Sequence, residues 1–516
     1  MSTEESAQAN AHVAHAMRFA LAAIAVLGLV SCAKAPLAEL ADGSVPGISA
    51  PELRSSQHRL HLDLDAVLDA HGLPSFAYGG HTGPAPTLRV EPGDRVEIAL
   101  HNLMHPQPGL TNDVNLHFHG LVISPRAPAD DVLTTLARPG QTLHYAFTIP
   151  PNHEPGLYWY HPHVHGETFW QVAHGMSGAL VVEGLERHLP ALARMRERLV
   201  VLRQAPARSD ITEPGNAPVS AEAAEDGDGN PCRPEVALLP SIDGVRRERI
   251  EIAPGERQFF RVLNASASRY FDLSIDGTLL QVVALDGVPL DAYPGASPVM
   301  TVKHIVIAPA GRAEFVVTGP PTPRILRSAC FDSGPAGDAQ TAAILGEIVP
   351  GGPAPAPSPA LALSTIGAPL PHNGLGDTAP RPAIRRTIRL TEDANRFYIN
   401  GKSFDMAAMD APPVVVAHAG TVEEWNIVND TDEGHDFHIH QVHFVVEQVN
   451  GVVNKSRHWV DTANVPSRIH HIYTTEPGRM RILVDFRNPI VRGTFLFHCH
   501  ILDHEDRGMM AKIAVL

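Results

Sequence analysis

Cys499 sits between His498 and His500, with His504 five residues further on and Met509 ten. Thiolate, imidazole and thioether are the donors that soft and borderline transition metals prefer. On a strand successive side chains point to opposite faces, so His498 and His500 would face one way and Cys499 the other. One strand would then touch two metal sites, with the Cys–His backbone as a short covalent path between them. That arrangement points to electron transfer.

Three further clusters contain His-x-His pairs, His117-Phe118-His119, His161-Pro162-His163 (followed by His165) and His438-Ile439-His440. Residues i and i+2 of a strand share a face, so both imidazoles of a pair can reach one centre. A single pair is weak evidence for a metal; four pairs in one chain are strong. Parity sorts the donors into two groups. His435, an odd number of residues from His438, separates from that pair as Cys499 does from its neighbours. His435, Cys499, His504 and Met509 then form a two-imidazole, one-thiolate set with a weak axial thioether, the donors of a blue-copper electron-transfer site. The second group is His117, His119, His161, His163, His438, His440, His498 and His500. Eight imidazoles exceed the needs of one ion and suit a cluster of two or three. Structural zinc commonly draws on several cysteines, and a lone cysteine wedged between two histidines suits it poorly.

These donors need strands to hold them, and an internal repeat supplies the frame. Val90–Asn102, Ile252–Asn264 and Val416–Asn429 each read as strand, turn, strand, with an Asn nine residues after the turn glycine. Those glycines, Gly93, Gly255 and Gly420, stand 162 and 165 residues apart. Short β-rich runs punctuated by Gly and Pro fill most of each unit, which favours an all-β chain of three sandwich domains over βαβ architecture. The expected boundaries are 51–186, 187–348 and 384–516, with a Pro/Gly/Ala-rich linker over 349–383. Leu189–Leu199 is the best candidate for a short helix. Domains one and three each carry two His-x-His pairs, so the cluster should lie at their interface. Domain two carries none and is expected to be mainly a spacer.

The net charge of −16 argues against a nucleic-acid partner, because binding phosphate backbones needs a basic surface. Phe19–Val30 is an apolar run too short to span a bilayer as a helix, and it fits the core of a signal peptide within residues 1–50. It ends in Leu29-Val30-Ser31-Cys32, which resembles a bacterial lipobox with Cys32 as the lipidated residue and the possible membrane attachment. The expected location is the bacterial cell envelope, periplasmic or lipid-anchored. A start at Met17 would already carry a complete signal. Of the four cysteines, Cys232 and Cys330 then remain as a disulfide candidate in an oxidising compartment.

The four histidine clusters, in this order, resemble the copper-binding motifs of the multicopper oxidase family, which includes laccases and bacterial cuprous oxidases. The likeness covers roughly residues 55–516 and is closest over Trp159–Val182 and His498–Met510. It implies three consecutive cupredoxin-like Greek-key domains and four copper ions. Carried over by motif, His435, Cys499, His504 and Met509 would hold a type 1 copper, and His117 with His438 a type 2 copper. His119, His161 and His500 would hold one type 3 copper, and His163, His440 and His498 the other. The implied chemistry is one-electron oxidation of a small reducing substrate, a phenol, an aromatic amine or a metal ion, coupled to reduction of O2 to water. Glu505 occupies the position of the family's proton-donating acid, and Asp130 resembles the acid that assists O2 reduction, with Asp131 as its adjacent alternative. Asp436 departs from the usual proline after the type 1 histidine, and as an acid beside an exposed ligand it is a candidate substrate-binding residue. Only 11 methionines and no Met-rich segment speak against a dedicated cuprous oxidase. Oxidation of Cu(I), Fe(II) or Mn(II) is the alternative to laccase-like breadth, and a copper-free scaffold of the same fold the remote one. His165 and His174 are read as packing residues or supports of the ligands, His443, His470 and His471 as ordinary strand residues, Met510 as core, and Met406 and Met409 as core in preference to an approach to the substrate copper.

Overall fold

The computed structural model describes residues 50–206, 238–338, 340–352, 362–370, 381–405 and 409–516. The signal segment, Cys32, Cys232 and Met406 lie outside them. Cys330 is disulfide-bonded, while Cys499 is a free, buried thiol.

Among the described residues, six of the seven sheets form three pairs, the seventh being the two-stranded ribbon of Ile469–His470 and Thr475–Glu476, and the internal repeat fixes how each pair is wired. The strand before each turn glycine runs parallel to the last strand of its unit, as Leu88–Val90 does with Leu180–Val182, Glu248–Ile252 with Gly346–Pro350, and Val415–Ala417 with Ile513–Val515. The strand after the glycine runs parallel to a strand near the start of its unit, Arg59–Ala66, Arg196–Leu202 or Ile384–Leu390. Its other edge pairs antiparallel with Thr142–Thr148, Arg312–Thr318 or Gly478–Asp485. Gly93, Gly255 and Gly420 all take positive φ, from 80° to 96°, a conformation that costs glycine little. Each sandwich encloses its own apolar core.

The repeated asparagines have a structural task. Asn102, Asn264 and Asn429 are fully buried. Each side-chain amide donates to one backbone carbonyl of the loop that follows (Asn112, Arg269 or Glu433) and to another on a distant segment (Ala137, Ile307 or Pro466), and it accepts a backbone N–H two residues on. A buried loop needs such partners for its polar backbone. In domain three this pins residues 430–434, which lead directly into His435.

The expected helix over Leu189–Leu199 does not form. A short helix over Leu185–His188 and a single turn at Leu192–Arg194 precede a strand from Arg196 to Pro206. Pro190 cannot continue a helical ladder, and residues 196–202 pair in register with Gln258–Asn264. Sheet pairing overrides the local pattern. Part of the expected linker is docked: Leu363 packs among Leu185, Leu189 and Leu192, and Gly367 and Ala368 donate to the carbonyls of His188 and Arg187.

Candidate metal centre

Strand register sets both groups of donors. His435–Ile439 lies antiparallel to Gly493–Cys499, with Phe437 opposite Cys499 and His438 opposite His498. Side chains of odd number on 435–439 therefore share the face of Cys499 and enter the domain-three core, where Phe437, Ile439, Cys499 and Met509 pack together. Asp436 and His438 share the opposite face with His498. In domain one, His117–His119 pairs with Trp159–His161 so that His117 lies opposite His161.

The eight imidazoles meet in one buried space between domains one and three, none more than 1% exposed. His117 stacks on His440 at 3.8 Å and His119 on His438 at 3.9 Å between ring centroids. The Nε2 atom of His498 stands 3.3 Å from that of His163 and 3.1 Å from that of His440. His163, His440 and His498 bring their ring nitrogens within 4.8 Å of one another, as do His117, His119 and His161. His500 joins from the end of its strand, its ring 5.1 Å from His119 and 5.5 Å from His161.

The outer nitrogen of a ligating imidazole fixes which nitrogen faces inward. His117 Nδ1 donates to Asp130 at 2.9 Å, His161 Nδ1 to the carbonyl of Pro162 at 2.8 Å, and His438 Nδ1 to that of Asp461 at 2.8 Å. Each leaves a buried Nε2 without a partner. His119 is reversed: Nε2 meets Asp461 at 3.2 Å and Nδ1 is left bare. Unpartnered buried nitrogens converging on one space fit metal ions and little else. Burial, reinforced for most of these rings by neighbouring imidazoles, holds His119, His161, His163, His438, His440 and His500 well below the usual histidine pKa. They are thus kept neutral, the form that binds metal.

On the other face, Cys499 Sγ lies 3.8 Å from His435 Nδ1 and 3.7 Å from His504 Nδ1, with 3.1 Å between the two nitrogens. An ion about 2.0–2.3 Å from three donors in a plane would separate them by roughly 3.5–4 Å, so this triangle is of the right size for one ion. The Cys499 thiol is pushed up chiefly by burial and is also raised by nearby Asp436 and Glu433. A bound cation would displace its proton. Met509 is fully buried in the same core, and its N–H is held by the carbonyl of His504. Phe397 stacks on His504 at 4.2 Å.

The two candidate acids meet different histidines of the eight. Glu505, on the short helix Leu502–Asp506, is buried with Oε2 at 3.1 Å from His498 Nδ1 and Oε1 at 3.6 Å from His163 Nδ1. Asp130 accepts from His117, from the Phe118 N–H and from Gln441 Nε2. Asp131 instead closes a surface turn, accepting from Leu133 and Thr134, so Asp130 is the acid that faces the histidines.

Asp436 is not beside an exposed ligand. It is 0% exposed on the interdomain face of its strand, and neither carboxylate oxygen has a hydrogen-bond partner. Burial pushes its pKa far up, helped by Asp286 and Asp461. It cannot meet a substrate from solvent. Domain two is not merely a spacer either: Arg312 and Asp286 reach Asp461 beside His119. His443 is drawn into the same network, with Nε2 donating to the Asp286 carbonyl at 3.2 Å. His174, His470 and Met510 keep ordinary packing or surface roles. Sequence reasoning passed over Asp461, Arg312, Gln441 and Glu433; none stands in a pattern that marks it, although Gln441 and Glu433 adjoin ligand motifs.

Sequence profiles described as multicopper oxidase match residues 74–187, 205–345 and 377–516. The chain belongs to the multicopper oxidase family, oxidoreductases that bind copper. Among curated proteins it is 25% identical over 441 residues to a multicopper oxidase of Staphylococcus haemolyticus, covering 83% of this chain and 81% of that one. It is also 27% identical over 511 residues to the cell division protein FtsP of Escherichia coli, covering 95% and 97%. Among solved structures, a Campylobacter jejuni multicopper oxidase described as a metallo-oxidase superposes with a TM-score of 0.69 at 23% identity, covering 91% and 94%. That likeness establishes the three-domain cupredoxin-like fold.

Proposed function

We propose that the chain couples one-electron oxidation of a small reducing substrate to the four-electron reduction of O2 to water. One observation carries this reading. The strand Gly493–Cys499 sends Cys499 towards His435 and His504 on one face and His498 towards the interdomain imidazoles on the other. Four copper ions bound as the motifs imply, one at His435, Cys499, His504 and Met509 and three among the eight imidazoles, would supply the redox chemistry. The chain's own contribution is geometry and protons. Cys499 and its two flanking histidines join the sites through a few covalent bonds. Glu505 is placed to hold a proton at the cluster, which O2 reduction consumes. Asp130 keeps His117 turned with Nε2 inward. The similarity to a cell division protein raises a role outside catalysis, but the complete donor set supports the oxidase.

The outward nitrogen of His504, Nε2, lies 3.4 Å from Glu433 Oε1. Burial, a hydrogen bond with Glu392, and the charges of Glu392, Asp338 and Asp503 push Glu433 up to about 10. A phenol or aromatic amine is the donor the resemblance implies. This acidic shell favours the second reading, a cation, and oxygen donors suit Fe(II) or Mn(II) better than Cu(I). Oxygen uptake driven by Fe(II), Mn(II), Cu(I) or a phenolic dye tests it. Glu433→Gln is expected to raise KM for the metal ion by about tenfold while leaving the dye within about twofold, because only a cation would displace the proton of this raised carboxyl and take its oxygen as a donor. Equal losses with both donors would remove the case for a metal ion. The apolar segment ending at Cys32 supports export to the cell envelope, free or held by a lipid.

A further inference from the structure

We propose that Arg312 of domain two is a positioning residue for the eight-histidine centre, acting through Asp461 on His119 and His438. The inference rests on the reading of those histidines as a copper cluster.

Arg312 is 1% exposed, and its five N–H groups find five contacts in all three domains. Nε donates to the carbonyl of Leu157 in domain one at 3.2 Å. Nη1 donates to Ala310 and Nη2 to Asp286, both backbone carbonyls of domain two, at 2.9 Å. The remaining pair grips the Asp461 carboxylate of domain three, Nη1 to Oδ1 at 2.8 Å and Nη2 to Oδ2 at 2.5 Å. A forked, two-point grip of this kind fixes the plane of the carboxylate as well as its place.

That plane matters because Asp461 serves two stacked ligands at once. Its Oδ1 faces His119 Nε2 at 3.2 Å, and its backbone carbonyl takes the proton of His438 Nδ1 at 2.8 Å. The bare nitrogens, Nδ1 of His119 and Nε2 of His438, are therefore chosen by one residue. His119 comes from domain one and His438 from domain three, so the part held by domain two sets the match between them. The chain also keeps space for the grip. Gly120, directly after His119, has φ +82°, and a Cβ there would overlap Arg312 Nη2 and Asp461 Oδ2.

The test compares Arg312→Lys, Arg312→Gln and Gly120→Ala with Arg261→Gln. Arg261 is an equally buried domain-two arginine, paired with Glu314 and Glu197 and touching no histidine of the centre. Copper is titrated into each metal-free full-length protein with a chelator buffer, following copper per chain, the type 2 EPR signal and the blue band. Arg312→Gln and Gly120→Ala are expected to need about 10–100-fold more free copper to fill the cluster, with altered type 2 EPR and the blue-band midpoint within about twofold of wild type. Arg312→Lys, which keeps the charge but lacks the fork, should fall between. Arg261→Gln should melt earlier yet load copper as wild type does. Gly120→Ala retains both charges and carries the test if Arg312→Gln does not fold. Wild-type loading and EPR in Gly120→Ala or Arg312→Lys overturns the proposal, as does an equal shift in Arg261→Gln. A wild-type protein that never fills the cluster would instead defeat the copper reading beneath it.

Discussion

Cys499→Ser is expected to abolish the blue band and reduce donor-driven oxygen uptake to background, while removing only one copper per chain. The thiolate is the one soft anionic donor of its triangle, and a hydroxyl is a poor substitute for copper. Its side chain is directed into the domain-three core beside Phe437 and Met509, away from the eight imidazoles. His498 and His500 keep their own anchors, His498 Nδ1 on the Cys499 carbonyl and the His500 N–H on the Asp436 carbonyl. The cluster should therefore still load copper and give a type 2 EPR signal. Metal analysis, EPR and oxygen uptake on one preparation check this. Uptake that persists without the blue band would mean that electrons reach the cluster by a route that bypasses Cys499.

The second large effect is expected at the other end of the electron's path. Glu505→Gln preserves shape and the approach to His498 but removes an exchangeable acid from a buried site where both carboxylate oxygens lack a hydrogen-bond partner. Loss of a positioned general acid costs about 10²–10⁴ in rate. Anaerobic bleaching of the blue band by donor should stay at the wild-type rate, and its return on mixing with O2 should slow by about a hundredfold or more. Copper content should not change. Slowed bleaching with a normal return would assign Glu505 to electron uptake instead of proton supply.

Much of this site could be read from the chain because its geometry is local. A buried strand has a side-chain period of two, so His435, Asp436, Phe437 and His438 sort by number alone. The opposed pair His438 and His498 then carries the same sorting across the sheet. The turn glycines and their asparagines were legible for a similar reason: one tight turn and one loop anchor recur in each domain. What escaped was tertiary. Nothing near Asp436 reveals that neighbouring domains cover its face. Arg312 and Asp461 lie 149 residues apart and are common residue types, one opening a strand and the other at a bend between two short strands. Choosing Asp130 over Asp131 required seeing that one faces His117 and the other closes a turn. The failed helix shows the same limit, since the partner strand at 257–264 decided it.

The claim that one strand serves two copper sites is tested most directly by counting metal in the fully loaded protein alongside its visible and EPR spectra. The expected result is about four coppers per chain, with a blue band from the site of Cys499 and a type 2 signal from the eight imidazoles. About two or fewer coppers after full loading, or no blue band in copper-replete protein, would contradict it.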